Sequence, residues 1–383
     1  MKQAKLLIMP GNYLPNLGGL ETHVDEFAKH YVKTGPVAIF APRIRANAPW
    51  IERKHANKVL VVRYPAFEVI NNLPLPKFWT GKFWSQLAKV KEYELVMTRT
   101  RFFPISFFGL LYAKLRRNQK KFIHVEHGSS FVTLESSFKT FVAWLYDRTL
   151  GRMVFAGADE RVVISKAVEQ FVKKNFTSKN LTRIHRGIDK ELYNAIAPDK
   201  RFAKQFEHKT TFLFVGRLFK WKGVAQTIAA IHLLPAAQKE KIAFVIIGDG
   251  EDAKRLQKKA GKERNKTIFF LGSKEFSKTI AIMKAATYYV HSAHPGGGLS
   301  NSLLQALFLK KWAIASPHEG ANEVVIDGKN GYVLPNNTPE ALAAAITKTL
   351  EKKPVVDTKT HDMFSQQFDW AHIVEKYRKI LFR

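Results

Sequence analysis

The sequence predicts an α/β protein of two domains, each a parallel sheet wrapped by helices. Three observations carry that expectation. At 383 residues the chain is too long for one ordinary core and suits two. Short apolar runs alternate along it with stretches of helical period. The alternation then restarts near residue 195, which places a second domain of the same class there.

The elements follow in order. Lys5-Leu-Leu-Ile-Met9 reads as a buried parallel strand, followed by a Gly/Pro/Asn loop and a periodic stretch from Glu21 to Tyr31. Further strands are predicted at 36–40, 59–62, 93–97, 122–125 and 161–164, most with helical stretches between them. The second set lies at 211–215, 243–247, 267–271, 288–290 and 312–315. Residues 1–190 are assigned to the first domain and 195–365 to the second. A linker is predicted from Gly187 to about Lys209, where Pro198 and the surrounding charges suit a hinge. Residues 366–383, with a helix from Ala371 to Leu381, are expected to pack back on the first domain.

Composition excludes several function classes. Hydrophobic residues make up 46% and charged residues 25%, so the chain buries a core and stays soluble. With no cysteine there is no disulfide, thiolate metal site or cysteine nucleophile, which fits the cytoplasm. The apolar run Leu6 to Met9 is too brief for a signal-peptide core or a membrane span. The formal charge of +30 fits a polyanion such as nucleic acid, anionic lipid or a phosphorylated substrate, and a lysine-rich proteome would produce much of the same bias.

Two stretches have the chemistry of anion sites. Leu17-Gly18-Gly19-Leu20-Glu21 lies between the first strand and its helix, where glycines admit a close backbone approach and a helix start offers free N–H groups. A diphosphate is the natural occupant, although glycine turns at such places are also common structural devices. The absence of a G-x-G-x-x-G fingerprint argues against a nicotinamide or flavin enzyme. In the second domain, Arg217 and Lys222 follow a strand at the edge where open parallel sheets bind ligands. They suit a departing diphosphate, and equally suit a solvated surface loop. Asp249, between Gly248 and Gly250, reads as a turn organiser rather than a metal ligand.

The order Gly18-Gly19-Leu-Glu-Thr-His23, Val125-Glu-His127-Gly128, Val163-Ile-Ser165, Ile184-His-Arg-Gly187-Ile-Asp189, Val215-Gly-Arg217 with Lys222-Gly223, Ile247-Gly248-Asp249-Gly250, Phe270-Leu-Gly272, Gly298-Leu-Ser-Asn301-Ser-Leu-Leu-Gln305-Ala306 and Glu323-Val-Val-Ile-Asp327-Gly-Lys-Asn-Gly331 resembles the family-4 retaining glycosyltransferases of the GT-B fold. The resemblance spans nearly the whole chain. It implies two Rossmann-like parallel-sheet domains facing a central cleft, the first on the acceptor side and the second binding a nucleotide sugar. It also implies that Gly18 and Gly19 meet the donor diphosphate, that Arg217 and Lys222 bind its phosphates, and that His127 lies against the transferred sugar. On the residue alone, a histidine after a strand also serves as a structural hydrogen-bonder. Gly248, Lys274, Leu299, Ser300 and Asn301 join the donor-binding set, and Glu323 braces the donor loop. No cofactor is expected beyond the nucleotide sugar itself, of UDP or GDP type, and no metal.

One stretch departs from the family pattern of two glutamates eight positions apart. Gly297 stands at the first position and Gln305 at the second. Gln305 keeps an oxygen acceptor for the ribose. Gly297 has no side chain, so the sugar contact falls to backbone groups of Gly297, Gly298 and Leu299, to Ser300, or to the acceptor side. A non-catalytic sugar- or lipid-binding relative is therefore carried as an alternative.

On the acceptor side, Phe78, Trp79, Phe83 and Trp84 fall near one face of a possible helix with Lys82 beside them, the pattern of an interfacial helix. A core-facing helix with solvated lysines has the same pattern. Arg116 and Arg117 extend the basic surface. Residues 1–190 carry 32 Lys and Arg against 14 Asp and Glu, which suits a lipid-linked or envelope-glycan acceptor and a peripheral place on an anionic membrane surface. Nucleic acid is not expected as a partner, since no RNP-type, zinc or recognition-helix pattern is present.

Overall fold

The structure, a computed structural model, describes residues 4–382 apart from 16–18, 71–72, 116–119, 133–135, 178, 295–298 and 319. The chain divides into two units, Met1–Gly187 with Trp370–Arg383, and Ile188–Asp369.

The first unit opens with β1 (Leu6–Pro10), α1 (Gly19–Tyr31), β2 (Val37–Arg43), β3 (Ile51–Lys54), β4 (Val59–Ile70) and β5 (Leu73–Pro76). It continues through α2 (Gly81–Ala88), β6 (Leu95–Arg99), α3 (Pro104–Lys114) and β7 (Lys121–Glu126). Then come α4 (Ser137–Tyr146), a π-helical turn at Asp147–Gly151, α5 (Arg152–Gly157), β8 (Glu160–Val163) and β9 (Leu181–Arg183). The spatial order is β3-β4-β2-β1-β6-β7-β8-β9, with β5 on β4; β3 and β5 pair antiparallel to β4 and the other pairings are parallel.

β1 is apolar throughout because both faces of this sheet are covered. Leu6 and Ile8 pack with Val24 and Phe27 of α1, while Leu7 and Met9 join Phe83 and Phe122 on the other face. In α1 the buried Val24, Phe27, Ala28 and Tyr31 recur at helical spacing, each contributing about 1.5–3 kcal/mol when fully buried for the larger side chains. The closing helix Trp370–Leu381 seats on α1: Trp370 stacks on His30 at 5.4 Å and Tyr377 lies 4.7 Å from Phe27.

The second unit carries β10 (Thr210–Val215), β11 (Ile242–Ile247), β12 (Ile268–Gly272), β13 (Tyr288–His291), β14 (Trp312–Ala315) and β15 (Gly331–Val333). Their order is β12-β11-β10-β13-β14-β15, all parallel. The order reverses beside β10, as it does beside β1 in the first unit, and the carboxyl ends of strands at such switch points are where open sheets bind ligands.

The predicted linker is not a free hinge. It contains two short helices, Lys190–Ala195 and Lys200–Gln205, whose first turns are capped by Asp189 and Asp199. Their Tyr193 and Phe202 sit in the core of the second unit. No helix among the described residues is long and apolar enough to cross a membrane.

Candidate active site

In the first unit the chemistry gathers where β1, β6 and β7 end. β6 finishes at Arg99, Thr100 takes φ +63°, and Arg101 follows, so two guanidiniums are buried within three residues. Left-handed backbone at a β-branched residue costs about 1–3 kcal/mol, which its surroundings must supply. Arg99 lies over the Phe27 ring at 4.8 Å, with Nη1 3.5 Å from His127 Nε2. Arg101 donates to Asp147 Oδ2 at 3.0 Å and to the Ser130 carbonyl, and its Nη1 is 3.3 Å from Glu126 Oε1.

Glu126 ends β7 and fixes the turn that presents His127. Its Oε1 accepts the backbone N–H groups of His127 at 2.9 Å and Gly128 at 2.7 Å, and its Oε2 accepts that of Arg101 at 3.1 Å. Burial pushes the Glu126 carboxyl up, but Arg101, His124 and the Gly128 N–H outweigh it and hold it well below the usual carboxylate range. The clamp is therefore an ionised, buried carboxylate.

His127 meets the ring of His23 edge-on at 5.2 Å, and His23 stands one turn inside α1 from Gly19. The start of α1 and His127 are thus neighbours. Burial, then the charge of Arg99, lowers His127 to about 3, and burial lowers His23 as well. At neutral pH His127 is an uncharged imidazole, able to exchange hydrogen bonds with a hydroxyl but not to act as a cationic acid. The kcat profile is therefore expected to show no histidine inflection between about pH 5 and 7. A step near 6.5 that disappears in His127→Gln would contradict this assignment.

In the second unit the loop after β10 holds Arg217, exposed, and Lys222, half-buried at the end of the short 3-10 turn Lys220–Lys222. Among the described residues no carboxylate lies within ion-pair distance of either side chain. Lys222 Nζ sits 4.2 Å from the Trp221 ring centre, and burial lowers its pKa to about 8. The Arg217 guanidinium lies over the Phe219 ring at 5.1 Å. A desolvated ammonium without a carboxylate partner, on the same loop as an exposed guanidinium, attracts an anion that would repair the lost hydration.

The loop's path depends on two close backbone approaches. Gly223 has φ +69°, and a Cβ there would stand 1.7 Å from the Ser292 carbonyl oxygen. Gly248, at φ +146°, would place one 1.8 Å from the Gly216 oxygen. Gly248 thus lets the ends of β10 and β11 touch. Asp249 Oδ1 accepts the Gly250 N–H at 2.8 Å, and the Asp249 carbonyl accepts the Leu218 N–H at 2.9 Å, tying the turn to the Arg217 loop.

The other donor candidates lie along the same edge. Ser300 directly precedes the helix Asn301–Phe308 without a side-chain capping bond, and Tyr289 Oη bonds Ser302 at 2.8 Å and the Val215 carbonyl at 3.4 Å, which brings that helix start to the end of β10. Leu299, Asn301 and Gln305 are half-buried there. Lys274 is exposed beyond β12, two strands from β10. Glu323 lies in the short helix Ala321–Val324, preceded by His318, whose ring is 5.1 Å from His291; Lys222 in turn depresses the His291 pKa, after burial and His318. Gly18, Gly297, Gly298, Arg116 and Arg117 lie outside the described residues.

Residues 17–192 match the model of Glycosyltransferase Family 4, and residues 197–367 match that of Glycosyl transferases group 1. The uncharacterized glycosyltransferase MJ1069 of Methanocaldococcus jannaschii is 46% identical over 392 aligned residues, covering 100% of this chain and 99% of its own. The chain is a family-4 glycosyltransferase of the GT-B fold. A GDP-mannose-dependent phosphatidylinositol monomannoside mannosyltransferase of Mycolicibacterium smegmatis is 22% identical, covering 89% of this chain and 88% of its own. Among solved structures, Anabaena HepE in complex with UDP has a TM-score of 0.73 at 18% identity over 99% of both chains. Sucrose-phosphate synthase from Thermosynechococcus elongatus reaches 0.76 at 16% identity over 98% of both.

Some of the glycosyltransferase's polar machinery is not evident in its sequence. Arg99, Arg101 and Glu126 act through convergence of β6, β7 and the α4–α5 segment, and Arg186 joins the rim through a 2.9 Å bond to Glu26 of α1. Only Glu126 had a local signal, its place before His127. The proposed acceptor helix also needs correction. Phe83 of α2 is fully buried, and Phe78 packs against it at 5.0 Å and against Phe108 at 5.1 Å. Trp84 is half exposed but donates Nε1–H to the Phe78 carbonyl and leans on Phe83 and Phe108. Trp79 and Lys82 remain on the surface. The spacing of aromatics identified a helix whose best apolar residues serve the core.

Proposed function

We propose that this glycosyltransferase moves a sugar, with retention of anomeric configuration and without a metal ion, from a UDP- or GDP-type nucleotide sugar to a lipid-linked or envelope-glycan acceptor on the cytoplasmic side of a membrane. The observation that carries the reading is the pair of cations without carboxylate partners among the described residues, Arg217 and desolvated Lys222, at the carboxyl end of β10. In the step proposed, the acceptor hydroxyl attacks the anomeric carbon on the face from which the diphosphate departs. The carbon–oxygen bond to phosphate breaks as the bond to the acceptor forms, and the departing phosphate oxygen takes the acceptor proton. Arg217 and Lys222 stabilise the charge gathering on that phosphate. The family resemblance assigns neutral His127 to the transferred sugar.

The family resemblance supports the retaining course. UDP in the HepE complex and GDP-mannose in the mycobacterial relative's name support the donor class, and that relative's phosphatidylinositol acceptor supports a lipid-linked one. The pH dependence follows from Lys222. Its ammonium is fully present below about 8 and is lost as pH rises through that value, so KM for the donor is expected to rise in alkali. Lys222→Arg should flatten that rise, which steady-state kinetics across pH would show.

The deciding test is incubation with a panel of UDP- and GDP-sugars, reading nucleoside diphosphate release and the anomer formed by NMR. Release with retention is expected. An inverted product overturns the course, and donor binding without release from any sugar moves the reading to a non-catalytic relative, the alternative that Gly297 raises.

A further inference from the structure

From Ser137 to Gly157, α4, the π-helical turn and α5 run without a break, and the apolar residues of α4 face the wrong way for a helix that packs on a core. Ala143 is the buried residue of α4. Phe138, Phe141, Val142, Trp144 and Leu145 are exposed, Phe138 by 73% and Phe141 by 57%. At about 100° per residue, Phe138, Phe141, Val142 and Leu145 fall within one arc of roughly 100°, with Lys139 on one flank and Trp144 on the other. Met153 continues the exposure on α5. Six exposed large apolar side chains therefore lie between residues 138 and 153, whereas elsewhere among the described residues they occur singly or in pairs. A concentration of this kind marks an interaction surface.

The charge around it selects the partner. Lys139, Arg148 and Arg152 are exposed, while the acid within the same helical run, Asp147, is buried and bonded to Arg101. Arg148 lies 5.5 Å from the Trp144 ring centre and 5.3 Å from that of Phe131, which sets a cation beside an amphipathic aromatic. A second copy meeting this face across a two-fold axis would bring like charges together. An anionic lipid surface supplies both an apolar phase for the arc and counter-charge for its rim, and the excess of 18 basic residues in 1–190 (32 less 14) adds long-range attraction.

We infer that α4 and α5 form the membrane-docking surface of this chain, with the Phe138–Leu145 arc in the acyl boundary of an anionic bilayer and Lys139, Arg148 and Arg152 at the headgroups. Asp147, which follows α4, is tied through Arg101 to Glu126, the neighbour of His127, so docking holds the His127 edge of the sheet close to the bilayer. The inference deepens the proposed lipid-side acceptor and rests on that reading for its purpose, but binding is measured apart from transfer.

The test is co-sedimentation of the full chain with phosphatidylcholine vesicles and with vesicles of phosphatidylcholine and phosphatidylglycerol in equal parts. The unaltered chain is expected to bind the mixed vesicles and to leave the neutral ones. The triple variant Phe138→Ser, Phe141→Ser, Leu145→Ser should lose about tenfold or more in binding while keeping its thermal transition, because these side chains bury little in the fold. Trp79→Ser on the surface before α2 should bind as the unaltered chain does. Unchanged binding by the triple variant, equal binding to both vesicles, or a dimer that the triple variant breaks each overturns the inference. Nucleoside diphosphate release, read without vesicles on the same samples, separates the two readings: its absence with vesicle binding intact sinks the proposed function alone.

Discussion

Lys222→Met is expected to lower kcat/KM by roughly 10²–10³, about 3–4 kcal/mol of transition-state stabilisation, while leaving the fold as stable or more so. The opposite signs have one cause. Burial lowers the Lys222 pKa to about 8, below its unfolded value, so the charged form is disfavoured in the folded chain. That cost is fully present below about pH 8 and fades as pH rises toward the unfolded pKa. Methionine keeps the aliphatic stem over Trp221 and removes the charge, so thermal unfolding at neutral pH should show no loss. Charge is the quantity tested, since Lys222→Arg should retain a substantial part of the activity. Full activity in Lys222→Met would remove the observation on which the donor site rests.

The second large effect is structural. Glu126→Ala should cost about 3–5 kcal/mol of stability, because it strips a buried guanidinium of one partner and orphans three backbone N–H groups at once. Denaturant unfolding measures it. Because the folded pKa of Glu126 is depressed, its contribution is fully present above the ordinary carboxylate pKa and is lost as pH falls through the folded value. The difference between the two proteins should therefore shrink in acid. Glu126→Gln, which keeps an acceptor for His127 and Gly128 but presents a donor where Arg101 N–H needs an acceptor, should fall between them.

The parallel strands were legible because a doubly covered sheet demands uninterrupted apolar runs, as in Leu6–Pro10 and Ile242–Ile247. The outer part of the first sheet was not. Three of the four residues of Ile51–Lys54 are charged and β5 reads Leu-Pro-Leu-Pro, so pattern alone gave no strand at either, and the strand predicted at 59–62 is only the start of β4, which runs on through Pro65 to Ile70. The helices within the supposed linker did announce themselves through Asp189 and Asp199, whose capping signal was outweighed by the charged, proline-bearing composition around them. At the site, residues recognised by local sequence, Gly19, His127, Arg217 and Lys222, lie at the ends of strands or the starts of helices. Arg99 and Arg101 could not be recognised that way, since a buried arginine is identified by partners distant in sequence, such as Asp147.

The backbone at Thr100 ties two of these features together. A regular strand sends residues two apart to the same face, yet Arg99 and Arg101 serve different partners, His127 and Phe27 for one, Glu126 and Asp147 for the other. One left-handed dihedral, φ +63°, parts them. The field felt by the histidine and the tether beneath the π-helical turn are therefore inherited from a single rotation, and this chain has no means of retuning one without displacing the other.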